Sequence, residues 1–256
     1  FERAMDTLGA IVGPLTALWL LAATSGNYRT VFAMTLLPGL IAAALVGFVV
    51  QERKRTPILH ASFGERLHSL PSSYRRFLLA VGIFGAGAFA HTLLILLATQ
   101  RLRPSLGASA AASAAVALYV LHNVFYAGFS YLGGLLADRL PKNLLLGSGY
   151  ALAAIMALGI MFLPAGIGPL ALVFVLGGIQ VAIEETLEDS FCAELVEPTQ
   201  HGMAFGVLAT VNGIGDFLSS SVVGLLWSTV GPNLAFGYSA ALFVLGAVLM
   251  IRVQRG

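Results

Sequence analysis

The amino-acid sequence predicts an all-α membrane protein with eight transmembrane helices. Of its 256 residues, 58% are hydrophobic and only 10% are charged, whereas about a quarter of the residues in a soluble domain are charged. The apolar residues form long unbroken runs, which favours helices over the alternating strands of a membrane barrel. So few polar groups exclude a water-soluble globule, and so much apolar sequence excludes a disordered chain.

Eight segments are long enough to cross a membrane as helices, since about 30 Å of hydrocarbon requires about 20 mainly apolar residues. A long polar and basic link, Gln51–Arg76, separates the first two segments from the last six, and the other links are short and carry turn formers. The chain starts without an initiating methionine, so we expect it to belong to a longer protein. In chain order the predicted spans are Met5–Ala23, Val31–Val50, Phe77–Thr99, Ala108–Leu132, Leu144–Leu163, Leu170–Asp189, Met203–Trp227 and Leu234–Val253.

The positions of Lys and Arg predict the orientation in the membrane. Three of the 14 basic residues, Arg29, Arg101 and Arg103, lie on one side of the predicted membrane, and the other eleven lie on the opposite side. Cytoplasmic loops carry an excess of Lys and Arg. We therefore expect a multi-pass protein of the cytoplasmic membrane with both termini in the cytoplasm.

Several kinds of chemistry find no support in the sequence. The net charge of +2 is too small to indicate nucleic-acid binding, and a single cysteine, Cys192, excludes a disulfide framework. No Cys/His cluster predicts a metal site, no phosphate-binding glycine loop predicts coupling to ATP, and no serine has the surroundings of a nucleophile. We therefore expect no enzyme activity, no catalytic residue and no cofactor, with a proton gradient as the driving force.

Ionisable residues inside the spans separate helices that line a cavity from helices that face lipid. A charge is costly in hydrocarbon and usually faces a bundle interior or a wet cavity. The second, fifth and eighth spans contain no ionisable residue in their cores and are predicted to be peripheral. The other five spans are predicted to surround a central cavity.

Asp216 is predicted to carry the coupling proton, because it lies near the middle of the seventh span, where a fixed charge is costly. Glu184, in the sixth span, is the second candidate. The alternative for both carboxylates is a structural role in hydrogen bonds between helices. Asp216 belongs to a polar stripe on one helix face, formed by Asn212, Asp216, Ser219 and Ser220.

Polar and aromatic side chains of several spans are predicted to line a substrate cavity. Histidine titrates near neutral pH, so a histidine here is suited to proton coupling or to substrate binding. The alternative is a neutral histidine that is hydrogen-bonded to a backbone carbonyl. Glu188 and Asp189, at the end of the sixth span, are expected to reach water. The predicted cavity residues are His91, His122, Asn123, Tyr126, Gln180 and Asn212.

The link between the fourth and fifth spans, Gly134–Lys142 (GLLADRLPK), resembles the G-x-L-a-D-r-x-g-r-k loop of the major facilitator superfamily. That family has two bundles of six helices, with this loop at the same place in each. The resemblance implies that the eight spans correspond to helices 5 to 12. Residues 1–50 would then end the N-terminal bundle, 51–76 would link the bundles, 77–256 would form the C-terminal bundle, and helices 1 to 4 of the same protein would pack beside them.

The same resemblance implies a cytoplasmic gate. In that family the loop aspartate lies at the junction between the bundles, so Asp138, with Gly134 and Arg139 beside it, is expected to contact the start of the first span. Arg3 is the candidate for an ion pair there. This contact would latch the cytoplasmic side when the pathway opens outward. The alternative is that Asp138 only caps its own loop.

A second stretch, Gly9–Ala17 (GAIVGPLTA), resembles the G-x-x-x-G-P-x-x-G-G segment of helix 5 in proton-coupled antiporters of the superfamily. Small residues one turn apart let helix backbones approach closely, and proline bends a helix. Gly9, Gly13 and Pro14 are therefore predicted to lie in a helix-packing contact. The final glycine pair of the pattern is replaced by Ala17 and Leu18, and close packing alone is the alternative interpretation.

These observations lead us to expect a secondary active transporter that works by alternating access. The expected activity is proton-coupled efflux of an amphipathic or drug-like compound, with this small-molecule substrate and the lipid bilayer as partners. One alternative is proton-coupled uptake of a small metabolite. Another is a membrane sensor or scaffold that has the same fold but does not transport, since fold alone does not decide function.

Overall fold

The computed structural model describes residues 2–49 and 70–254. Most of the predicted linker over 51–76 lies outside the described residues, and so do the side chains of Arg3 and Asp6. Within the described ranges the chain is helical and contains no β-strand. The helices are α1 (Glu2–Ala23), α2 (Tyr28–Val49), α3 (Ser72–Gly87), α4 (His91–Leu106), α5 (Ala108–Ala137), α6 (Lys142–Phe162), α7 (Ile167–Leu195), α8 (His201–Thr229) and α9 (Pro232–Ile251), with a 3₁₀ turn at Pro198–Gln200.

Seven helical segments of the described chain are long and apolar enough to cross a membrane. They are α2, the pair α3 and α4 taken together, α5, α6, α7, α8 with the 3₁₀ turn before it, and α9. The apolar part of α1, Ile11–Ala23, is shorter. The prediction of an all-α membrane protein is confirmed. Seven of the eight predicted spans coincide with these segments, the third of them with the pair α3 and α4, and the first falls on α1.

The third predicted span is not one continuous helix. α3 ends at Gly87 and α4 begins at His91, and the backbones of Ala88 and Ala90 between them are extended. Backbone groups freed at a break in a membrane helix must find partners inside the protein. Here the Tyr238 hydroxyl of α9 donates a hydrogen bond of 3.1 Å to the carbonyl of Ala86, which a continuous helix would pair with the amide of residue 90.

Contacts with α9 explain where this break lies. The ring of Phe89 packs against Phe236 and Phe243, with centroid distances of 4.9 and 6.0 Å. A Cβ atom on Gly87 would lie only 2.8 Å from the Cβ of Leu242, so glycine allows α9 to approach the end of α3. The break is thus fixed by packing against a distant helix rather than by a local proline.

The six C-terminal spans pack as a bundle through apolar and aromatic contacts. α9 packs against α3 and α6, α7 packs against α5 and α6, and α8 packs against α3. At the centre Phe84 of α3 stacks on Tyr150 of α6, with ring centroids 3.7 Å apart, and contacts Phe243 of α9 at 4.7 Å. Aromatic pairs of this kind add to the stabilisation from burial alone.

α4 extends beyond Thr99, the predicted end of the third span. The helix runs to Leu106 with Pro104 inside it. The guanidinium of Arg101 donates hydrogen bonds to the carbonyls of Ile160, at 2.5 Å, and Leu163, at 3.3 Å. Since these carbonyls lie at the C-terminal end of α6, the cation satisfies unpaired acceptors and complements the helix dipole.

Of the described helices, α2 packs the least against the rest of the protein. α1 packs against α5, and α2 makes a few contacts with α1. Apolar side chains of α2 are exposed along the helix, up to 90% at Phe48. No described atom lies within 4 Å of a Cβ built on Gly9 or Gly13, so close packing at these glycines and at Pro14 stays a prediction.

Candidate functional site

A cavity of about 550 Å³ lies among α3, α4, α7 and α8, with one residue each from α5, α6 and α9. Its apolar wall is rich in aromatic rings, including Phe84, Phe89 and Phe243. Its polar wall holds four carboxylates, two histidines and four uncharged side chains, and no Lys or Arg from the described chain lines it. The polar lining residues are His91, His122, Gln180, Glu184, Glu185, Glu188, Asn212, Asp216, Ser219 and Ser220.

One row of hydrogen-bonding side chains runs along α7. Gln180, Glu184 and Glu188 follow one another at successive turns, which places them on one face of the helix. The Gln180 amide donates to the carboxylate of Glu184 at 2.5 Å. The amide of Asn212, on α8, donates to Glu188 at 3.3 Å, so a continuous polar row reaches from α7 to the next helix.

The expectation that Glu188 reaches water is wrong. Only 7% of this residue is exposed, because α7 does not end near Asp189 but continues to Leu195. Asp189 is exposed and does not line the cavity. The sixth predicted span therefore brings three carboxylates to the cavity and leaves one outside it.

Asp216 faces the same cavity from α8. The stripe predicted on that helix, from Asn212 to Ser220, lines the cavity. Asp216 is exposed, whereas Ser219 is buried and donates to the backbone carbonyl of Asp216 at 3.1 Å. Glu184 and Asp216 are therefore two carboxylates on different helices that line one cavity.

His122 is the most enclosed ionisable residue of the cavity wall, with 2% of its surface exposed. Its Nδ1 lies 3.1 Å from the backbone carbonyl of Phe174. A carbonyl only accepts hydrogen bonds, so we assign the proton of the neutral ring to Nδ1, which leaves Nε2 as an acceptor. No described residue hydrogen-bonds to Nε2.

A pair of glycines on α7 makes room for His122. A Cβ on Gly177 would lie 3.2 Å from Nδ1 of His122, and a Cβ on Gly178 would overlap the carbonyl oxygen of His122. These glycines let α5 and α7 approach closely enough for the Phe174 contact to form. Sequence reasoning missed them, although an adjacent glycine pair within an apolar span is a usable signal for close helix packing.

His91 lies beside His122 because of the break between α3 and α4. It is the first residue of α4, and its ring centroid lies 4.8 Å from that of His122. Tyr119 stacks on His122 at 5.7 Å. The two histidines and this tyrosine form an aromatic cluster at one end of the cavity.

Two predicted cavity residues do not line the cavity directly. Asn123 is buried, and its amide donates to the carbonyl of Tyr119 in the same helix at 2.9 Å. The Tyr126 hydroxyl donates to the carboxylate of Glu185, which does line the cavity. Tyr126 thus contacts the cavity lining through Glu185, an acid to which the sequence analysis assigned no role.

The predicted gate loop lies at the end of α5 and does not line the cavity. Asp138 and Arg139 are exposed, and Gly134 lies in the last turn of α5. The ammonium of Lys142 is hydrogen-bonded to Ser190 and lies 2.7 Å from the carboxylate of Glu194, both on α7. This ion pair ties the loop to α7, while the contact between Asp138 and Arg3 involves a side chain outside the described residues.

Comparison with known proteins gives a consistent result. The sequence model of the Major Facilitator Superfamily matches residues 77–255. An uncharacterized MFS-type transporter of Methanocaldococcus jannaschii is 27% identical over 257 residues, which cover 98% of this chain and 62% of that protein. Uncharacterized proteins of Mycobacterium bovis and Mycobacterium tuberculosis are each 26% identical over 274 residues, covering 99% of this chain and 62% of theirs. The chain thus spans about 62% of the length of these curated relatives.

Proposed function

This chain belongs to the Major Facilitator Superfamily and is part of a multi-pass membrane protein, and from this premise we propose that it forms part of a secondary active transporter. The transporter moves a small molecule across the cytoplasmic membrane by alternating access, with both chain termini in the cytoplasm. The supporting observation is the cavity among α3, α4, α7 and α8, which combines aromatic walls with four carboxylates.

Proton coupling is the driving force that this cavity supports best. A carboxyl group in a membrane interior is costly to keep charged and can hold a proton instead. Glu184 is hydrogen-bonded by the neutral amide of Gln180, and Asp216 faces the same space from another helix. In our proposal these two carboxylates take up a proton from one side of the membrane and release it to the other as access alternates.

Efflux is the proposed direction. The resemblance of Gly9–Ala17 to the helix 5 segment of proton-coupled antiporters favours exchange of a proton for a substrate. In this scheme a proton moves into the cell as the substrate moves out. The loop at Asp138, with Gly134 and Arg139, closes the cytoplasmic side against the start of α1 while the cavity opens outward.

The test is transport by the protein, expressed from its complete coding region and reconstituted in liposomes. A pH gradient is imposed, and a panel of cationic, neutral and anionic amphipathic dyes is offered. We expect accumulation of at least one dye that requires the gradient and is abolished by an uncoupler. Accumulation that is insensitive to the uncoupler contradicts proton coupling, and no accumulation of any compound favours a non-transporting role.

A further inference from the structure

Resting on the transport function proposed above, we propose that the cavity recognises protonated amines that carry an apolar body. In this assignment the carboxylate of Glu185 pairs with the ammonium charge, and Nε2 of His122 accepts one of its N–H bonds.

The negative charge of the cavity wall favours cationic ligands over anionic ones. Four carboxylates line it, and no Lys or Arg of the described chain does. A cavity with walls of low dielectric constant and charges of one sign concentrates ions of the opposite sign. Anionic compounds are disfavoured for the same reason.

The tautomer of His122 favours cations that carry an N–H bond over cations that carry none. Since Nδ1 donates to the Phe174 carbonyl, Nε2 is an acceptor at the cavity wall without a partner among the described residues. A ligand that supplies an N–H donor gains a hydrogen bond there. A quaternary ammonium carries the same charge but has no N–H bond to donate.

A hydrogen bond from Tyr126 connects the charge partner, Glu185, to the helix that carries this acceptor. Tyr126 follows His122 by one helical turn, so the two side chains lie on one face of α5. The Tyr126 hydroxyl donates to the carboxylate of Glu185, and the ring centroid of His91 lies 4.8 Å from that of His122. Within the described structure Glu185 is exposed to the cavity.

The remaining walls suit the apolar part of such a ligand. Phe84, Phe89 and Phe243 line the cavity together with Leu94 and Met156. Ligand pockets are typically lined by apolar and aromatic side chains around a few placed polar groups, and aromatic faces also attract cations. An aromatic or branched body attached to the ammonium group fits this arrangement.

The test compares ligands that share one apolar body. Naphthylmethylamine, which is protonated at neutral pH, is titrated by fluorescence against the complete protein in detergent, beside its trimethylammonium analogue, naphthylmethanol and naphthylacetate. We expect the amine to bind about tenfold more tightly than the quaternary analogue, as a hydrogen bond to a charged group is worth about one decade or more. The alcohol and the carboxylate are expected to bind more weakly still.

Two variants assign the contacts. Glu185→Gln is expected to weaken both cations about tenfold, since it removes their charge partner. His122→Phe keeps a ring but removes the acceptor, so it is expected to abolish the preference for the amine while the quaternary analogue binds as before. Asp189→Asn, one turn from Glu185 and outside the cavity lining, is the matched control and should leave all affinities unchanged.

The outcomes separate this proposal from the transport function. Equal binding of the amine and the alcohol, tighter binding of naphthylacetate, or an unchanged preference for the amine in His122→Phe overturns it. If the amine binds as expected but is not accumulated in liposomes, the recognition stands and the transport function fails. If a neutral or anionic dye is accumulated and the amine does not bind, transport stands and the recognition fails.

Discussion

Two carboxylates that face one cavity from different helices, Glu184 on α7 and Asp216 on α8, are the residues on which proton coupling is expected to depend. Asp216→Asn and Glu184→Gln preserve shape and hydrogen bonding but cannot bind a proton. We expect the variant that replaces the proton carrier to bind substrate normally and to lose accumulation driven by the pH gradient. The measurement is uptake in liposomes beside equilibrium binding in detergent.

Asp189→Asn serves as the control for these variants, because Asp189 is an acid of α7 that lies outside the cavity lining. Exchange of substrate across the membrane without a gradient should continue in the coupling variant, since only the proton step is removed. If both variants still concentrate substrate at the normal rate, the assignment is wrong. If Asp216→Asn loses binding altogether, Asp216 is a substrate contact or a structural group.

Because α7 approaches α5 closely at His122, we expect a single methyl group added to α7 to destabilise the protein. In Gly178→Ala the new Cβ overlaps the carbonyl oxygen of His122, and the backbone cannot yield as a flexible side chain would. Overpacking of this kind costs about 1–3 kcal/mol, so a lower midpoint of thermal unfolding is expected in detergent. Gly128→Ala on α5, with no described atom within 4 Å of its Cβ, is the matched control and should change the midpoint little.

At the scale of helices, the apolar runs sufficed to predict where the spans lie. They did not predict the break in the third span or the continuation of α7, in the sixth span, to Leu195. Ala88-Phe89-Ala90 has no proline and reads as continuous helix, because the contacts that break it come from Leu242 and Tyr238 on α9. Gln180 and Glu184 on α7 and the polar stripe on α8 follow from helical spacing, whereas the placement of Glu185 and Glu188 in the cavity wall does not. The pairing of His122 with Phe174 joins residues far apart in the chain and depends on packing that spacing does not reveal.

The break between α3 and α4 is expected to depend on the hydroxyl of Tyr238. Tyr238→Phe leaves the ring in place but removes the donor to the carbonyl of Ala86. The expected cost is about 0.5–1.5 kcal/mol, seen as faster hydrogen exchange of the amides near the break and a lower unfolding midpoint. Tyr131→Phe, whose ring is exposed on α5, controls for loss of a tyrosine hydroxyl, and equal exchange in both variants would argue against the role of Tyr238.

At the scale of the whole molecule, the described helices do not cover all carboxylates of the cavity. Asp216 and Glu185 line the cavity and are exposed, and α2 exposes apolar side chains along its length. Charged groups do not face hydrocarbon without cost, so we expect both carboxylates to be covered in the membrane. The longer relatives and the resemblance to helices 5 to 12 favour the other helices of an N-terminal bundle as the cover.

The junction between the two bundles yields the last prediction, which concerns the latch between Asp138 and Arg3. Asp138 is exposed where α5 ends, and α1 packs against α5, so the first residues of α1 are expected to reach it in the outward-open state. Cysteines at positions 3 and 138, in a Cys192→Ser background, should then form a disulfide, which requires Cα atoms about 4.4–6.8 Å apart. The cross-link should block transport, and reduction should restore it. Cysteines at 103 and 138, predicted on opposite sides of the membrane, should not react, and failure of the first pair to cross-link with or without substrate and pH gradient would show that Asp138 only ends its own helix.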